Sequence, residues 1–497
     1  MKKILNIMLA HQIKIRLAVL GLLVAVAFLS LSWEFLETIK DDAYFVAHED
    51  EVIYYGSAQL FAETQSLQAE SCIAEDVSKV GKFNWYGPGY NVVYGTLRLI
   101  FGNANSLLIR FHFVLAYLML AIVFFLQLPM EDKLLSAGIL LISEQFTVYI
   151  YSYFPELLHL FFSTVLVYVL WQVYQQHSTT RWIALFIMLV LVFSLCRITT
   201  IFFLAALLPL GSNWRQRVPM VLIFVLGIVA SVLYLRFCIA PPYAGEMHKL
   251  EKLYTFNIWN FLVESIKATL ANAWRIVTTG SVPVFVLLGL SILAIFNFWK
   301  TKDRFQLAAV LVAFCLVGTL MAFYSVSPFY FVKQTAMLLP LLLVASMRGP
   351  LLVTKWGLLL VLIYFWVPVN KHRTKVIEEH QQAFANFQNN ASLREAFQQI
   401  RTSVEVNKDL VILWSYNEYD YGSAVQALLP YSSASGNTIM YTTNIVFDQA
   451  VDPKVKFKLH HKLRVDYVLS RQPLNWLESG LRLQTPFFYL YNNPAFN

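Results

Sequence analysis

The chain has 497 residues, of which 58% are hydrophobic and only 14% are charged, and its formal net charge is +8. Soluble globular proteins carry about a quarter charged residues, so this composition excludes an ordinary soluble protein and predicts an integral membrane protein. The basic residues gather in short connections, which is typical of membrane orientation and not of nucleic-acid binding.

Apolar runs long enough for membrane helices follow one another through most of the chain. A bilayer core of about 30 Å requires about 20 apolar residues per helix, and the backbone in lipid must be hydrogen-bonded within the segment. We therefore predict an α-helical integral membrane bundle of about eleven spans. The predicted spans are residues 17–33, 107–128, 134–151, 157–174, 182–195, 198–210, 218–240, 282–298, 305–324, 331–346 and 351–369.

The charges between these runs predict the orientation of the chain. With the N-terminus in the cytoplasm, the basic connections fall on the cytoplasmic side, as the positive-inside rule requires. The first outer loop, residues 34–104, is acidic instead. An odd number of spans then places the tail on the same face as this loop. The sequence thus predicts a membrane domain at residues 1–370 and an extracytoplasmic domain at residues 371–497.

Two further segments on the outer face have predictable structure. Residues 241–280 mix charges with Leu, Trp and Phe, a pattern that favours an amphipathic helix in the membrane interface. The tail begins with a predicted amphipathic helix at residues 378–401. Strand-like runs follow at residues 410–414, 465–470 and 487–491, so we predict a small C-terminal α/β domain.

The acidic loop contains two carboxylate pairs, Asp41 with Asp42 and Asp50 with Glu51. A carboxylate just outside the membrane can accept a proton from an incoming hydroxyl or amine, or hold a divalent cation against a phosphate. The alternative is a solvated helix N-terminus, where acids complement the helix dipole. The spacing alone does not decide between the two pairs.

Charged residues in or beside the apolar runs are further candidates. Arg197 interrupts two apolar runs, and an ionisable residue inside a membrane marks a functional site by default. Lys333 lies at the outer end of a predicted span, where snorkelling to the interface explains it equally well. Glu156 follows Pro155 in a turn predicted at the outer face, and a helix cap is its alternative interpretation.

The order of these features resembles the polytopic GT-C glycosyltransferases. The resemblance rests on the first span, the Asp-Glu-x-x-Tyr-x-x-x-Ala pattern at residues 50–58, the Gly-Pro-Gly-Tyr stretch at residues 87–90 and the Phe-Gly pair at residues 101–102. The Asp-Asp-Ala-Tyr stretch at residues 41–44 also resembles a form found in this family. The family includes the protein O-mannosyltransferases, the lipid A aminoarabinose transferases and many bacterial relatives.

The resemblance implies a catalytic aspartate in the first loop, and it assigns that role to Asp50 with Asp41 as the rival. Asp50 would act as general base or, if a divalent cation takes part, as its ligand. The resemblance also implies that Glu156 faces the catalytic cavity and positions the acceptor or the sugar. The candidate catalytic residues are Asp41, Asp42, Asp50, Glu51 and Glu156.

Binding of a carrier phosphate is implied for Arg197 and Lys333, because fixed positive charge stabilises the negative charge that develops on phosphate oxygens. The chain departs from the family at one point. Some branches have a lysine directly before a Pro-Pro pair, whereas residues 84–90 contain no lysine and a single proline. Lys79 and Lys82 are the nearest substitutes.

The implied activity is transfer of a sugar from a polyprenyl-phosphate carrier to a lipid, glycan or protein acceptor. The resemblance and the short connections suggest the periplasmic face of a bacterial inner membrane, with membrane lipids as partners and no nucleic acid. A transporter or flippase of lipid-linked sugars remains open because of Glu144 and Arg197, although the chain shows no clear repeat. A non-catalytic membrane scaffold is the other alternative.

Overall fold

The computed structural model describes most of the membrane region and parts of the tail. The described residues are 2–47, 49–65, 67, 71–73, 83, 87–102, 104–175, 180–238, 258–280, 282–323, 328–349, 352–364, 366–389, 391–403, 410–413, 439–442, 467–470, 473–474 and 479–492. Lys79, Lys82 and residues 241–257 of the predicted interfacial segment lie outside this set.

Helices form most of the described chain, and they follow the apolar runs. In chain order they are α1 (Lys2–Ile39), α2 (Glu49–Thr64), α3 (Gly89–Phe101), α4 (Leu107–Phe125), α5 (Met130–Ile142), α6 (Glu144–Ile150), α7 (Glu156–Gln175), α8 (Thr180–Ser194), a 3-10 helix (Ile198–Leu210), α9 (Trp214–Phe237), α10 (Ile258–Thr279), α11 (Val282–Thr301), α12 (Arg304–Phe323), α13 (Pro328–Thr335), α14 (Leu338–Met347), α15 (Leu352–Tyr364), α16 (Trp366–Asn389) and α17 (Ala391–Ser403).

Six of the described helices, α1, α4, α7, α9, α11 and α12, are long and apolar enough to cross a membrane. A seventh span results if α5 and α6, which meet at an angle of 55°, count as one. The predicted number of eleven is not confirmed. The difference arises because several apolar runs form short helices, and because the predicted spans at residues 134–151 and 331–346 are each divided in two.

The outer surface of the membrane helices is apolar. Along α1, the side chains of Leu22, Leu29 and Trp33 are 64–70% exposed, and α9 exposes Leu222 and Leu226 in the same way. Exposed apolar surface on this scale is unfavourable in water and favourable in lipid. Length, composition and surface therefore agree on a multi-pass membrane protein.

The described strands form one mixed sheet of six, in the order β1-β3-β2-β4-β6-β5. The strands are β1 (Ser71–Ile73), β2 (Leu410–Leu413), β3 (Ile439–Thr442), β4 (Tyr467–Ser470), β5 (Leu481–Gln484) and β6 (Tyr489–Asn492). The first four positions in the sheet are linked by parallel pairs and the last two pairings are antiparallel. β2, β4 and β6 coincide with the three predicted strand runs, whereas β1 comes from the acidic first loop.

The chain divides into two units, each assembled from separate stretches. The bundle unit consists of Met1–Lys40, Ile109–Ser231 and Thr255–Val376, and it contains the complete helices α1, α5 to α8 and α10 to α15 together with the 3-10 helix. The sheet unit consists of Asp41–Leu108, Val232–Tyr254 and Ile377–Asn497. In the sheet unit, α2 packs along α3 and α17 contacts β5.

Candidate functional site

Three helix ends in the bundle unit bring a set of buried polar side chains together. Glu156 begins α7, Arg197 precedes the 3-10 helix, and Gln334 lies in the last turn of α13. Glu156 is 0% exposed and Arg197 only 3%. Because a charge inside an apolar bundle is costly unless it is paired, such residues are functional candidates by default.

Local sequence explains why the helices are interrupted here. Pro155 precedes α7, and proline is well tolerated at the beginning of a helix because the N–H that it lacks would have no partner there. α8 ends at Ser194, and Arg197 has extended backbone angles, with φ −151° and ψ 112°. Interrupted helices inside a membrane are tolerated where they are covered by protein or line a cavity.

The guanidinium of Arg197 connects these helix ends. Its Nη1 lies 3.4 Å from Oε1 of Glu156 and 2.7 Å from Nδ1 of His159. Its Nη2 donates a hydrogen bond to Oε1 of Gln334 at 2.5 Å. An arginine has only donors, so Nδ1 of His159 accepts the hydrogen bond and the ring is the neutral tautomer with its proton on Nε2.

Lys333 adds a second cation to this set of residues. Its side chain is 1% exposed, and Nζ lies 4.4 Å from the ring centroid of Phe154, a cation–π distance. Lys333 and Arg197 both act electrostatically on His159. We call Glu156, His159, Arg197, Lys333 and Gln334 the bundle cluster. Within the described residues, this cluster contains two cations and one carboxylate.

A second buried acid–base pair lies in the sheet unit, between α2 and α16. Glu51 and His380 are both 0% exposed, and Nε2 of His380 lies 2.9 Å and 3.1 Å from the two carboxylate oxygens. Oε2 of Glu51 also accepts a hydrogen bond from the backbone N–H of Ala47 at 3.3 Å. The ring of Tyr44 stacks on His380 with 4.8 Å between centroids. We call Glu51 and His380 the sheet-unit pair.

The carboxylate of Asp42 caps the beginning of α4. Oδ1 accepts hydrogen bonds from N and Oγ of Ser106, at 2.7 Å and 2.5 Å, and Oδ2 accepts one from N of Asn105 at 3.0 Å. Asp42 has a positive φ of 51°, which aspartate tolerates better than most residues. Its neighbour Asp41 is exposed. Of this pair, only Asp42 is engaged by the cap.

The structure brings some of the predicted site residues together and leaves the role of others untested. It brings Glu156, Arg197 and Lys333, which the sequence suggested separately, into one cluster. Asp50 lies in the first turn of α2, as predicted, but its side chain is outside the described part. Its roles as base or cation ligand therefore stay predictions. In the part that the structure describes, no three His, Cys, Asp or Glu side chains are grouped so as to hold a metal ion.

Sequence reasoning missed three residues of these two sites. His159 lies one turn after Glu156 and so shares its helix face, a spacing that could have been noticed. Gln334 directly follows Lys333, but it is uncharged, so the sequence does not distinguish it from other polar residues at a helix end. His380 lies in a polar helix among other charged residues, where nothing in the sequence distinguishes a buried histidine from an exposed one.

Comparisons with known proteins identify the fold. No family model matches the sequence, and no curated protein matches it significantly. The structure is similar to ArnT from Cupriavidus metallidurans, with a TM-score of 0.50 for the apo state and 0.53 for ArnT bound to undecaprenyl phosphate. Each alignment covers 96% of this chain and 98% of ArnT at 10% identity.

An oligosaccharyltransferase from Archaeoglobus fulgidus, tethered to an acceptor peptide, also aligns, with a TM-score of 0.48 and 12% identity over 86% of this chain and 65% of that one. ArnT is a lipid A aminoarabinose transferase of the GT-C class. The chain therefore has a fold similar to that of ArnT, which confirms the predicted fold class of a helical membrane bundle with a small C-terminal sheet.

Proposed function

We propose that the chain is a membrane glycosyltransferase that moves a sugar from a polyprenyl-phosphate carrier to a lipid, glycan or protein acceptor. The observation that carries the proposal is the bundle cluster, where two buried cations and one carboxylate lie at interrupted helices of a GT-C fold. ArnT binds undecaprenyl phosphate, and a cation-rich site is the chemistry that such a phosphate requires. The reaction would take place at the periplasmic face of a bacterial inner membrane, with the N-terminus cytoplasmic and the C-terminal domain periplasmic.

The reaction is a displacement at the anomeric carbon of the sugar. The acceptor oxygen or nitrogen forms a bond to that carbon while the bond from carbon to phosphate oxygen breaks, and its electron pair stays on the phosphate. Arg197 and Lys333 would stabilise the charge on the departing phosphate. Glu156 would keep the guanidinium of Arg197 in place and position the acceptor or the sugar.

The acceptor must lose its proton, and we assign this step to Asp50 as general base. Asp50 occupies the first turn of α2, directly before Glu51. Glu51 and Asp42 already have structural partners, His380 for the one and the start of α4 for the other. Asp41 remains the rival for the base because it is exposed.

The proposal is tested by complementation of a deletion strain, with surface glycans and lipids analysed by mass spectrometry. Wild type, Asp50→Asn, Asp41→Asn and the control Glu37→Gln, an exposed acid in α1, are compared at equal membrane levels. We expect one glycan mass to disappear in the deletion and to return with wild type and Glu37→Gln but not with Asp50→Asn. Loss with Asp41→Asn alone moves the base to Asp41, and recovery with both variants rules out a catalytic first loop.

One observation favours a second candidate, a transporter of lipid-linked sugars. Interrupted helices near the membrane centre are typical of transporters, and α5 and α6 bend by 55° at Ser143. Glu144 follows this bend and lies 2.9 Å from Nδ1 of His372. The purified protein in vesicles containing a fluorescent polyprenyl-linked sugar distinguishes the two functions. A transporter equilibrates the lipid between leaflets without an acceptor, whereas a transferase consumes it only when an acceptor is present.

A further inference from the structure

The helices α13 and α14 are separated by Ala336 and Met337, which belong to neither helix. Pro340 explains this interruption, because proline lacks the N–H that would donate to the carbonyl four residues earlier and its ring collides with that carbonyl. The carbonyl in question is that of Ala336, and it accepts a hydrogen bond from the N–H of Leu339 instead, at 3.0 Å. We call Ala336 and Met337 the α13–α14 break.

The break lies one helical turn after the two residues of α13 that belong to the bundle cluster. Lys333 and Gln334 precede Met337 by four and three positions. Because a helix turns once in 3.6 residues, the direction of these two side chains depends on how the chain is held at the break. Met337 is 2% exposed, so the break is held inside the bundle unit and not at its surface.

A hydrogen bond from α7 anchors the break. The hydroxyl of Ser163 donates to the carbonyl of Met337 with 2.5 Å between the two oxygens, and Ser163 is 1% exposed. Ser163 lies seven positions after Glu156 and four after His159, so the three side chains share one face of α7. That face therefore contacts Arg197 near the beginning of the helix and the break further along.

These contacts form a closed ring. α7 contacts Arg197, whose Nη2 donates to Oε1 of Gln334. Three residues after Gln334, the chain returns to α7 through the hydrogen bond between Met337 and Ser163. Thr199, two residues after Arg197, adds a weak contact, because its Oγ1 lies 3.8 Å from Sδ of Met337. The ring restricts rotation of α13 about its own axis.

We propose that Ser163 is a positioning residue for the bundle cluster. By holding the carbonyl of Met337, it fixes the rotation of α13 and with it the place of Lys333 and Gln334. Reaction rates depend strongly on such placement, since a displacement of about 1 Å can lower them about 100-fold. The inference rests on the proposed function, because the departing phosphate that Lys333 stabilises is proposed there.

Steady-state kinetics of the full-length protein in detergent test this role, with an undecaprenyl-phosphate carrier that bears the sugar identified by complementation. We expect Ser163→Ala to lower kcat about tenfold and to change KM by less than about twofold, because the displaced groups act mainly in the transition state. Ser163→Thr retains a hydroxyl and should recover most of the lost kcat. A higher KM at unchanged kcat contradicts a role in the reaction step.

Two other buried hydroxyls serve as matched controls. Thr164 donates to the carbonyl of Leu160 in its own helix at 2.8 Å, so Thr164→Val removes a hydroxyl beside Ser163 without affecting the break. Ser136 of α5 is 0% exposed, and its hydroxyl has no hydrogen-bond partner among the described residues. Thr164→Val and Ser136→Ala should therefore keep the wild-type kcat. If Ser163→Ala lowers kcat no more than these two variants do, the proposal is overturned.

A double-mutant cycle shows whether Ser163 acts through Lys333. In the Lys333→Met background the cation that Ser163 places is absent, so adding Ser163→Ala should lower kcat by about threefold or less instead of tenfold. Effects that simply multiply would mean that the two residues act independently, and the positioning role would then be wrong.

Hydrogen exchange followed by mass spectrometry separates failure of this inference from failure of the proposed function. Peptides covering residues 333–339 should exchange faster in Ser163→Ala than in Ser136→Ala, because the break loses its anchor. If this difference is found but the wild type transfers no sugar, the transferase is refuted and the anchoring of the break by Ser163 is retained. If the wild type transfers sugar while Ser163→Ala changes neither exchange nor kcat, the positioning role is refuted and the transferase is retained.

Discussion

The two units of the molecule each bury a carboxylate against a nitrogen base, and they do so in opposite ways. In the sheet unit, both oxygens of Glu51 meet the single nitrogen Nε2 of His380, and a backbone N–H adds to them. In the bundle unit, one oxygen of Glu156 meets an arginine that is shared with His159 and Gln334. Among the described residues, one arrangement pairs a single acid with a single base, and the other is a branched cluster with two cations and one carboxylate.

The difference teaches how a buried pair that stabilises a fold can be distinguished from one that serves a ligand. A pair of one acid and one base balances its own charge, so its removal should affect folding and leave chemistry alone. A branched cluster with two cations per carboxylate can accept a further anion, so its removal should affect chemistry more than folding. The following experiments compare the free energy of unfolding with sugar transfer, and their results can contradict this difference between the two units.

The largest effect is expected from Arg197. Arg197→Met should lower sugar transfer about 100-fold to 1000-fold, because it removes the guanidinium that we propose stabilises the departing phosphate. It also leaves Glu156 buried without its cation, at a cost of about 3–5 kcal/mol in the free energy of unfolding. The double variant Arg197→Met, Glu156→Leu should recover the stability but not the transfer, measured by chemical unfolding and by transfer in detergent. Recovery of both would make the bundle cluster structural.

Substitution of Lys333 should also lower sugar transfer more than stability, but with a smaller effect than substitution of Arg197. Lys333→Met is expected to lower transfer about tenfold to 100-fold, since one of two cations remains. The free energy of unfolding should change by less than about 1 kcal/mol, because methionine fills the same volume beside Phe154. Lys333→Arg serves as the control and should keep most of the transfer. A loss of stability without a loss of transfer would identify Lys333 as a packing residue.

The sheet-unit pair should show the opposite result. His380→Phe preserves the stacking on Tyr44 but removes the partner of Glu51, so the free energy of unfolding should fall by about 1–3 kcal/mol. Transfer per folded molecule should not change. Adding Glu51→Leu to this variant should restore part of the stability. If transfer falls well below the folded fraction, the pair takes part in the reaction and the contrast between the units disappears.

The smallest effect is expected within the first carboxylate pair. Asp42→Ala removes the cap of α4 and should cost about 0.5–2 kcal/mol in the free energy of unfolding. Asp41→Ala, at the exposed neighbour, should change it by less than about 0.5 kcal/mol. Thermal midpoints of the two purified variants make the comparison. Equal midpoints would mean that the hydrogen bonds from Asn105 and Ser106 contribute nothing measurable.

Much of the fold followed from the sequence, because lipid permits few solutions. Apolar runs predicted α7, α8, α9, α11 and α12 within a few residues of their ends. Interruptions of the helices were harder to predict. Ser143, between α5 and α6, is an ordinary residue inside an apolar run, so no local sequence feature indicates a bend of 55°. Composition also cannot state how many short apolar helices cross the membrane completely.

The residues of the candidate site also differ in how well the sequence predicts them. Arg197 was visible because it interrupts two apolar runs, and Glu156 because it follows a proline in a turn between two predicted spans. His380 was invisible because it lies far from Glu51 in sequence and among polar residues, where burial is decided by tertiary packing.

The edge strand of the sheet has a consequence for how the protein is made. Ser71 of β1 pairs with Ile439 of β3, about 370 residues later in the chain. At about 5–20 residues per second, ribosomes need roughly 20 to 70 s to synthesise that interval. During this time the first loop has already been synthesised while its partner strand does not yet exist. Cells that produce the protein would therefore benefit from a chaperone that shields the nascent first loop until the tail arrives.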